Sequence, residues 1–120
     1  MAKKVLVVDD AMSVRQQVGL ALTQAGFHVI EAVDGIDAQE KLRDDVSLVV
    51  CDVNMPRLGG LELLDKLHAD AKWAAIPVVM LTTEMEQSQI ERAKKAGAKG
   101  WMFKPFKAES LVAVAKKLAV

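Results

Sequence analysis

Three short, almost wholly apolar runs recur along the chain. They cover residues 5–8, 48–51 and 78–81, and each is of strand length and rich in valine. Such runs are typical of strands that are buried on both faces of a parallel sheet. Two runs of mixed polarity, 27–30 and 100–103, predict strands at the edges of the same sheet. Gly26 and Gly97 precede these two runs and are expected to end helices.

Between the strands, apolar residues recur at the period of a helix. The stretches 35–43 and 86–96 are less apolar but rich in Glu, Lys, Gln and Ala, which favour helix, and Asp34 is expected to cap the first of them. The other three helices have clear apolar stripes. The residues of these stripes are Val14, Val18, Ala21, Leu22 and Ala25; Gly60, Leu63, Leu64 and Leu67; and Leu111, Val114, Ala115 and Leu118.

The alternation of strand and helix predicts the fold class. A strand followed by a helix, repeated five times with short connections, is typical of an open parallel sheet with helices on both faces. We therefore expect an α/β protein of the doubly wound (βα)5 type. The pattern contains no linker and no repeat of solenoid type, so residues 1–120 are expected to form one domain.

Composition narrows the classes of function. Sixteen basic and sixteen acidic residues give a formal net charge of zero, which argues against binding of nucleic acid or anionic membrane by overall charge. With a single cysteine, Cys51, the chain can form neither an internal disulfide nor a cysteine metal cluster, and we expect that side chain to be a small buried hydrophobe. The apolar run at the N-terminus is too short for a signal peptide or a membrane span, so a cytoplasmic protein is expected.

Polar residues with chemical potential follow four of the predicted strands. Asp9 and Asp10 come after the first, Asp52 after the third, Thr82 at the end of the fourth and Lys104 after the fifth. In open α/β sheets the ligand site lies beyond the carboxyl ends of the strands. Three carboxylates, a hydroxyl and an ammonium are therefore expected to converge there.

Such a cluster suits phosphoryl transfer to a carboxylate. Three carboxylates in one crevice repel one another unless a cation lies among them, and hard oxygen ligands favour Mg²⁺, Mn²⁺ or Ca²⁺ over zinc. A carboxylate beside the metal can attack phosphorus and hold the phosphoryl group as an acyl phosphate. The metal, Lys104 and the hydroxyl of Thr82 would each neutralise or bind one phosphoryl oxygen. An ionised carboxylate needs no general base.

The same residues resemble a known signature. Asp9-Asp10, Asp52 with Pro56 and Gly59-Gly60 downstream, Thr82 and Lys104-Pro105 are similar to the motifs of bacterial response-regulator receiver domains. The resemblance spans essentially the whole chain and is greatest to single-domain members of the CheY type. It implies the sheet order 2-1-3-4-5. It also implies a two-component phosphorylation switch that is not an enzyme beyond its self-catalysed phosphorylation and dephosphorylation.

The resemblance assigns a role to each residue of the motif. Asp52 would be the phosphoacceptor, and Lys104, followed by a cis bond to Pro105, would pair with the phosphoryl group. Mg²⁺, with Mn²⁺ as an alternative, would be the cofactor. Its ligands would be Asp9, directly or through water, the side chains of Asp10 and Asp52, and the backbone carbonyl of Asn54.

Further residues would control the switch and the lifetime of the acyl phosphate. Thr82 would move its hydroxyl toward the phosphoryl group, which frees space for the switch aromatic Trp101. Asn54 and Glu84 resemble the two positions that tune dephosphorylation. Thr83 is larger than the alanine or glycine often found at its position, and is expected to narrow access to the site.

The implied output surface is the face made by helix 4, strand 5 and helix 5. Its expected residues are Met85, Gln87, Ile90, Trp101, Phe103, Phe106, Lys107 and Lys117. The expected partners are a histidine kinase, a downstream effector such as a flagellar motor switch or another motility component, and a phosphatase. We expect a monomer that contacts no nucleic acid directly and does not insert into membrane.

Other functions remain open at this point. A receiver can serve as a phosphate sink for its kinase, or as a pseudo-receiver scaffold that is never phosphorylated. A flavodoxin is disfavoured because the acidic loop after strand 1 would repel the phosphate of FMN. A phosphatase of the haloacid-dehalogenase type would carry a D-x-D pattern after strand 1, where this chain has Asp9-Asp10.

Overall fold

The valine-rich runs form the centre of a five-stranded parallel sheet. The computed structural model describes residues 2–119. The elements, in chain order, are β1 (Lys4–Val8), α1 (Met12–Gln24), β2 (His28–Ala32), α2 (Gly35–Lys41), β3 (Val46–Cys51), α3 (Gly60–Ala69), β4 (Val78–Thr82), α4 (Gln87–Lys95), β5 (Gly100–Phe103) and α5 (Ala108–Leu118). The strand order is β2-β1-β3-β4-β5, which confirms the predicted fold class and places the two mixed runs at the edges.

Helices cover both faces of the sheet, and each face has its own core. Alternate residues of a strand point to opposite faces. Val5 and Val7 of β1 therefore join the core beneath α1 and α5. Leu6 and Val8 join the core beneath α2, α3 and α4. This two-sided burial explains why the central strands are apolar at nearly every position.

Helix ends follow the predicted signals, and the bounds of six elements, namely β1, β2, β3, β4, α2 and α4, differ from the prediction by one or two residues. Gly26 and Gly97 end α1 and α4 with φ values of 96° and 100°, a conformation that favours glycine. The strand β2 begins at His28 instead of residue 27, because the N–H of Phe27 still bonds to the carbonyl of Leu22 at the end of α1. The helix α2 ends at Lys41 instead of residue 43, because Leu42 turns extended and is buried. The helix α4 is one residue shorter at each end than predicted.

Two further observations concern the helices, namely the cap at the start of α2 and the length and polarity of the helices as a group. Asp34 caps α2 as predicted, since its side chain accepts a hydrogen bond from the N–H of Asp37. Within residues 2–119, no helix is both long enough and apolar enough to cross a membrane.

Candidate functional site

The carboxyl ends of β1 and β3 bring Asp9 and Asp52 together. Val8 pairs with Cys51 in the parallel register, so the next residue of each strand lies at the same edge of the sheet. The N–H of Asp52 donates to the carbonyl of Val8 at 3.0 Å, which continues the ladder one step further. One carboxylate oxygen from each of Asp9, Asp10 and Asp52 lies within 4.8 Å of the other two. The predicted acidic cluster is therefore assembled by strand pairing.

Lys104 joins this cluster from β5. Its Nζ lies 2.6 Å from Oδ2 of Asp9 and 3.1 Å from Oδ2 of Asp52. Its backbone N–H donates to the carbonyl of Thr82 at 3.0 Å, and the bond to Pro105 is cis, as expected. The ammonium group thus bridges the two buried carboxylates.

The remaining oxygens of the two buried carboxylates are held by backbone donors. Oδ1 of Asp9 accepts from the N–H of Ala11 at 2.9 Å, and Oδ1 of Asp52 accepts from the N–H of Val53 at 2.7 Å. Arg15 donates to the carbonyl of Asp9 at 2.7 Å. Both side chains are therefore fixed in position before any ligand binds, which is the preorganisation that transfer chemistry requires.

The electrostatic balance of the cluster favours a second cation. Burial raises the pKa of Asp9 above its ordinary value, even though the hydrogen bond and charge of Lys104 oppose the shift. Burial also lowers the pKa of Lys104, but the hydrogen bond to Asp9 and the charge of Asp52 outweigh it, so the pKa is raised. The two shifts have different causes, because desolvation disfavours the charged form of Asp9 whereas two neighbouring carboxylates favour the charged form of Lys104. The cluster gains from any additional positive charge.

Hard oxygen ligands are available for that cation. The side chain of Asp10 is exposed and, within residues 2–119, accepts no hydrogen bond. The carbonyl of Asn54 likewise has no donor among these residues. Asp10 and Asn54 line the same cleft, which has a volume of about 550 Å³. Carboxylate and carbonyl oxygens without histidine or cysteine fit Mg²⁺ or Mn²⁺.

Thr82 and its neighbours complete the edge of the site. Thr82 is fully buried at the end of β4, where its Oγ1 accepts from the N–H of Glu84 at 3.0 Å. This contact leaves the hydroxyl proton of Thr82 available to a ligand. Thr83 and Asn54 are exposed, and Glu84 is half-buried. Access to Asp52 is therefore bordered by the residues that the sequence singled out.

Arg57 supports the site and was not identified from the sequence. It has a φ of 64°, in a tight turn where the N–H of Leu58 bonds to the carbonyl of Pro56 at 2.7 Å. Its guanidinium donates to both oxygens of Asp34, at 2.6 and 3.0 Å, and holds the pKa of that carboxyl below its ordinary value. Gly35 adds a backbone bond to Leu58. The loop after Asp52 is thereby tied to the loop before α2.

Most residues of the predicted partner face are open or partly open to solvent. Met85, Gln87, Phe103 and Lys107 are exposed, and Ile90, Trp101 and Phe106 are half-buried. The indole Nε1 of Trp101 is buried and, among residues 2–119, has no hydrogen-bond partner. Such an unsatisfied donor costs about 1–3 kcal/mol, so the indole has a reason to move.

Lys117 lies apart from the rest of that face. It occupies the last turn of α5 and lines a different cleft, at the amino ends of β3 and β4. The helix α5 runs back along the sheet from the site, so its two ends are on opposite sides of the molecule. Lys117 therefore contributes least to a surface near Trp101.

Comparisons with known proteins agree with this geometry. Residues 5–116 match the family described as response regulator receiver domain. The chemotaxis protein CheY1 of Helicobacter pylori is 38% identical over 106 residues, which are 86% of this chain and 86% of that protein. A CheY homologue of Campylobacter jejuni is 39% identical over 106 residues, 86% of this chain and 82% of the relative.

A solved structure extends the likeness to the whole fold. The chemotaxis protein CheY4 of Vibrio cholerae superposes with a TM-score of 0.88 at 36% identity, covering 98% of this chain and 99% of that one. The family match and these relatives lead to one conclusion. This chain belongs to the response regulator receiver domain family.

Proposed function

We propose that this receiver is a phosphorylation switch in which Asp52 accepts a phosphoryl group from a histidine kinase with the help of Mg²⁺. The observation that carries the proposal is the contact of one ammonium group, Lys104 Nζ, with both Asp9 and Asp52 at 2.6 and 3.1 Å. A buried acceptor carboxylate beside a fixed cation and two further carboxylates matches what phosphoryl transfer needs.

The residues of the chain divide the chemistry among them. A carboxylate oxygen of Asp52 attacks phosphorus, the bond from phosphorus to the kinase histidine breaks, and an acyl phosphate forms. Lys104 neutralises one phosphoryl oxygen, and the hydroxyl of Thr82 donates to another. Asp9, Asp10, Asp52 and the carbonyl of Asn54 would hold Mg²⁺ or Mn²⁺, which would supply further positive charge beside the phosphoryl group.

Reversal of the switch depends on water reaching the acyl phosphate. Asn54 is exposed in the cleft beside Asp10, and Glu84 is half-buried next to Thr82. Asn54 and Glu84 are proposed to set the rate of spontaneous dephosphorylation. A phosphatase would act on the same bond.

The partner is proposed to be a motility component, because the relatives described above are chemotaxis proteins. The face formed by α4, β5 and α5 supports an effector over a simple phosphate sink, since Met85 and Phe103 present 73% and 44% of their surface to solvent. These exposed apolar side chains on the predicted partner face are available for contact with an effector. The complete acidic site, with Lys104 in place, argues against a scaffold that is never phosphorylated.

Activation is expected to change the fluorescence of Trp101. In a Trp73→Phe background, beryllofluoride with Mg²⁺ should shift the emission to shorter wavelength, because Thr82 moves toward the bound group and the half-buried indole turns further inward. The same protein carrying Asp52→Asn should show no shift. An emission that stays constant at saturating beryllofluoride would mean that Trp101 is not part of the switch.

A further inference from the structure

The end of the sheet opposite Asp52 carries a second cleft, which we term the amino-end cleft. Its floor is aliphatic and includes the half-buried residues Ile76, Pro77 and Leu118. Its rim carries the lysines Lys72, Lys99 and Lys117. The cleft has a volume of about 780 Å³. Asp44 also lines the cleft, so an apolar floor is combined with a rim of net positive charge, and the phosphorylation chemistry assigns no function to this amphipathic surface.

The positive charge of the rim is poorly compensated. Lys72 reaches Asp44 at 3.7 Å, but both side chains are largely exposed, so the pair contributes little. The ammonium of Lys72 also lies 4.7 Å from the ring centre of Trp73. Within residues 2–119, neither Lys99 nor Lys117 has a carboxylate within 4.0 Å. Among residues 2–119, the exposed side chain of Asp44 is therefore the only carboxylate within 4.0 Å of any of these three ammonium groups.

We propose that the amino-end cleft binds an acidic, extended segment of a partner protein. The segment would place a large aliphatic side chain on the floor formed by Ile76, Pro77 and Leu118. Its flanking Asp and Glu residues would pair with Lys99 and Lys117 on the rim. Burial of the apolar side chain supplies affinity, and the complementary charges supply orientation and a fast association rate.

The shape and chemistry of the cleft disfavour other polyanions. A concave floor cannot be filled by the flat surface of a bilayer, and the lining contains no aromatic ring on which a base of single-stranded nucleic acid could stack. A segment of several residues that carries large aliphatic side chains suits both the volume and the aliphatic lining. The expected ligand is therefore a segment in which acidic residues flank large aliphatic residues.

This binding is expected to be independent of phosphorylation. The cleft lies at the amino ends of β3 and β4, whereas Asp52 follows the carboxyl end of β3. The six residues of β3, at about 3.3 Å each, separate the two sites by roughly 20 Å. A partner held in the amino-end cleft would remain attached while the face near Trp101 switches, so the cleft would serve as a constitutive tether.

The proposal is tested by fluorescence anisotropy with a labelled peptide in which two leucines lie between pairs of glutamate and aspartate. The double variant Lys99→Glu/Lys117→Glu should bind this peptide roughly tenfold more weakly than the unmodified protein. The matched control is Lys66→Glu/Lys95→Glu, which makes the same change of charge at exposed lysines of α3 and α4. The control should stay within about twofold of the unmodified protein.

Several outcomes would overturn the proposal. Equal weakening in both double variants would mean that the overall charge of the protein attracts the peptide. Undiminished binding of a peptide with serine in place of leucine would mean that the aliphatic floor does not bind the peptide. Tighter binding of a single-stranded oligonucleotide or of phosphatidylserine vesicles would assign the cleft to another class of ligand. Circular dichroism checks that each variant folds.

The activation state supplies the remaining test. Saturating beryllofluoride with Mg²⁺ should leave the peptide affinity unchanged, whereas a strong preference for one state would contradict a constitutive tether. Phosphorylation of Asp52 in Lys99→Glu/Lys117→Glu should proceed at the normal rate. These measurements therefore distinguish a loss of peptide binding in the amino-end cleft from a loss of phosphorylation at Asp52.

Discussion

Replacement of Lys104 by alanine is expected to slow phosphorylation of Asp52 by about a hundredfold or more. The variant removes the ammonium that lies 2.6 Å from Asp9 and 3.1 Å from Asp52, and with it the fixed charge that would neutralise a phosphoryl oxygen. Stabilisation of the transferred phosphoryl group would then depend on the metal and on the hydroxyl of Thr82. The rate is followed by intact mass during incubation with acetyl phosphate and Mg²⁺.

Lys107→Ala is the matched control for this experiment. Lys107 is exposed, lies three residues further along, and makes no hydrogen bond or ion pair to the cluster among residues 2–119. The control should be phosphorylated at the rate of the unmodified protein. If Lys104→Ala also keeps that rate, the bridge between Asp9 and Asp52 has no part in the transfer.

The second large effect is expected at Gly60, the first residue of α3. A Cβ there would lie 2.0 Å from the carbonyl oxygen of Asp52 and 2.8 Å from Cε of Met80. The methionine can move, but the backbone of Asp52 is held at the end of β3 by its bond to Val8. Gly60→Ala is therefore expected to lower the free energy of unfolding by about 3 kcal/mol, measured by urea denaturation.

Gly19→Ala gives the opposite expectation and serves as the control. A Cβ at Gly19 would touch only Cγ1 of Val29, at 3.7 Å, and the residue lies inside α1. Alanine should stabilise the protein there by about 0.5–1 kcal/mol, because it has the higher helix propensity. An unchanged stability of Gly60→Ala would contradict the close approach of α3 to the acceptor loop.

The central part of the site could be predicted from the sequence because topology alone assembles it. Asp9 and Asp52 each follow an apolar run and Lys104 follows a run of mixed polarity, and parallel strands place their carboxyl ends at one edge. The same reasoning located the edge strands, since mixed polarity is expected where one side of a strand is less covered. This prediction of position needed only the order of the residues along the chain and their places at the ends of the strands.

Features that depend on packing between distant segments could not be predicted. The positive φ of Arg57 has no local sequence signal, because arginine does not favour that region, and its partner Asp34 lies 23 positions away. Within residues 2–119 the Nε1 of Trp101 has no hydrogen-bond partner, which likewise depends on how the indole packs. Lys117 was assigned to the partner face by resemblance, and the direction of α5 places it instead at the amino-end cleft.

The most direct test of the central claim is the intact mass of the protein after incubation with phosphoramidate. In the presence of Mg²⁺ we expect the gain of one phosphoryl group. That gain should be absent without the metal and absent in Asp52→Asn, which keeps the size of the side chain but removes the attacking carboxylate. A gain that persists in Asp52→Asn, or that does not need a divalent cation, would contradict the proposed acceptor and its chemistry.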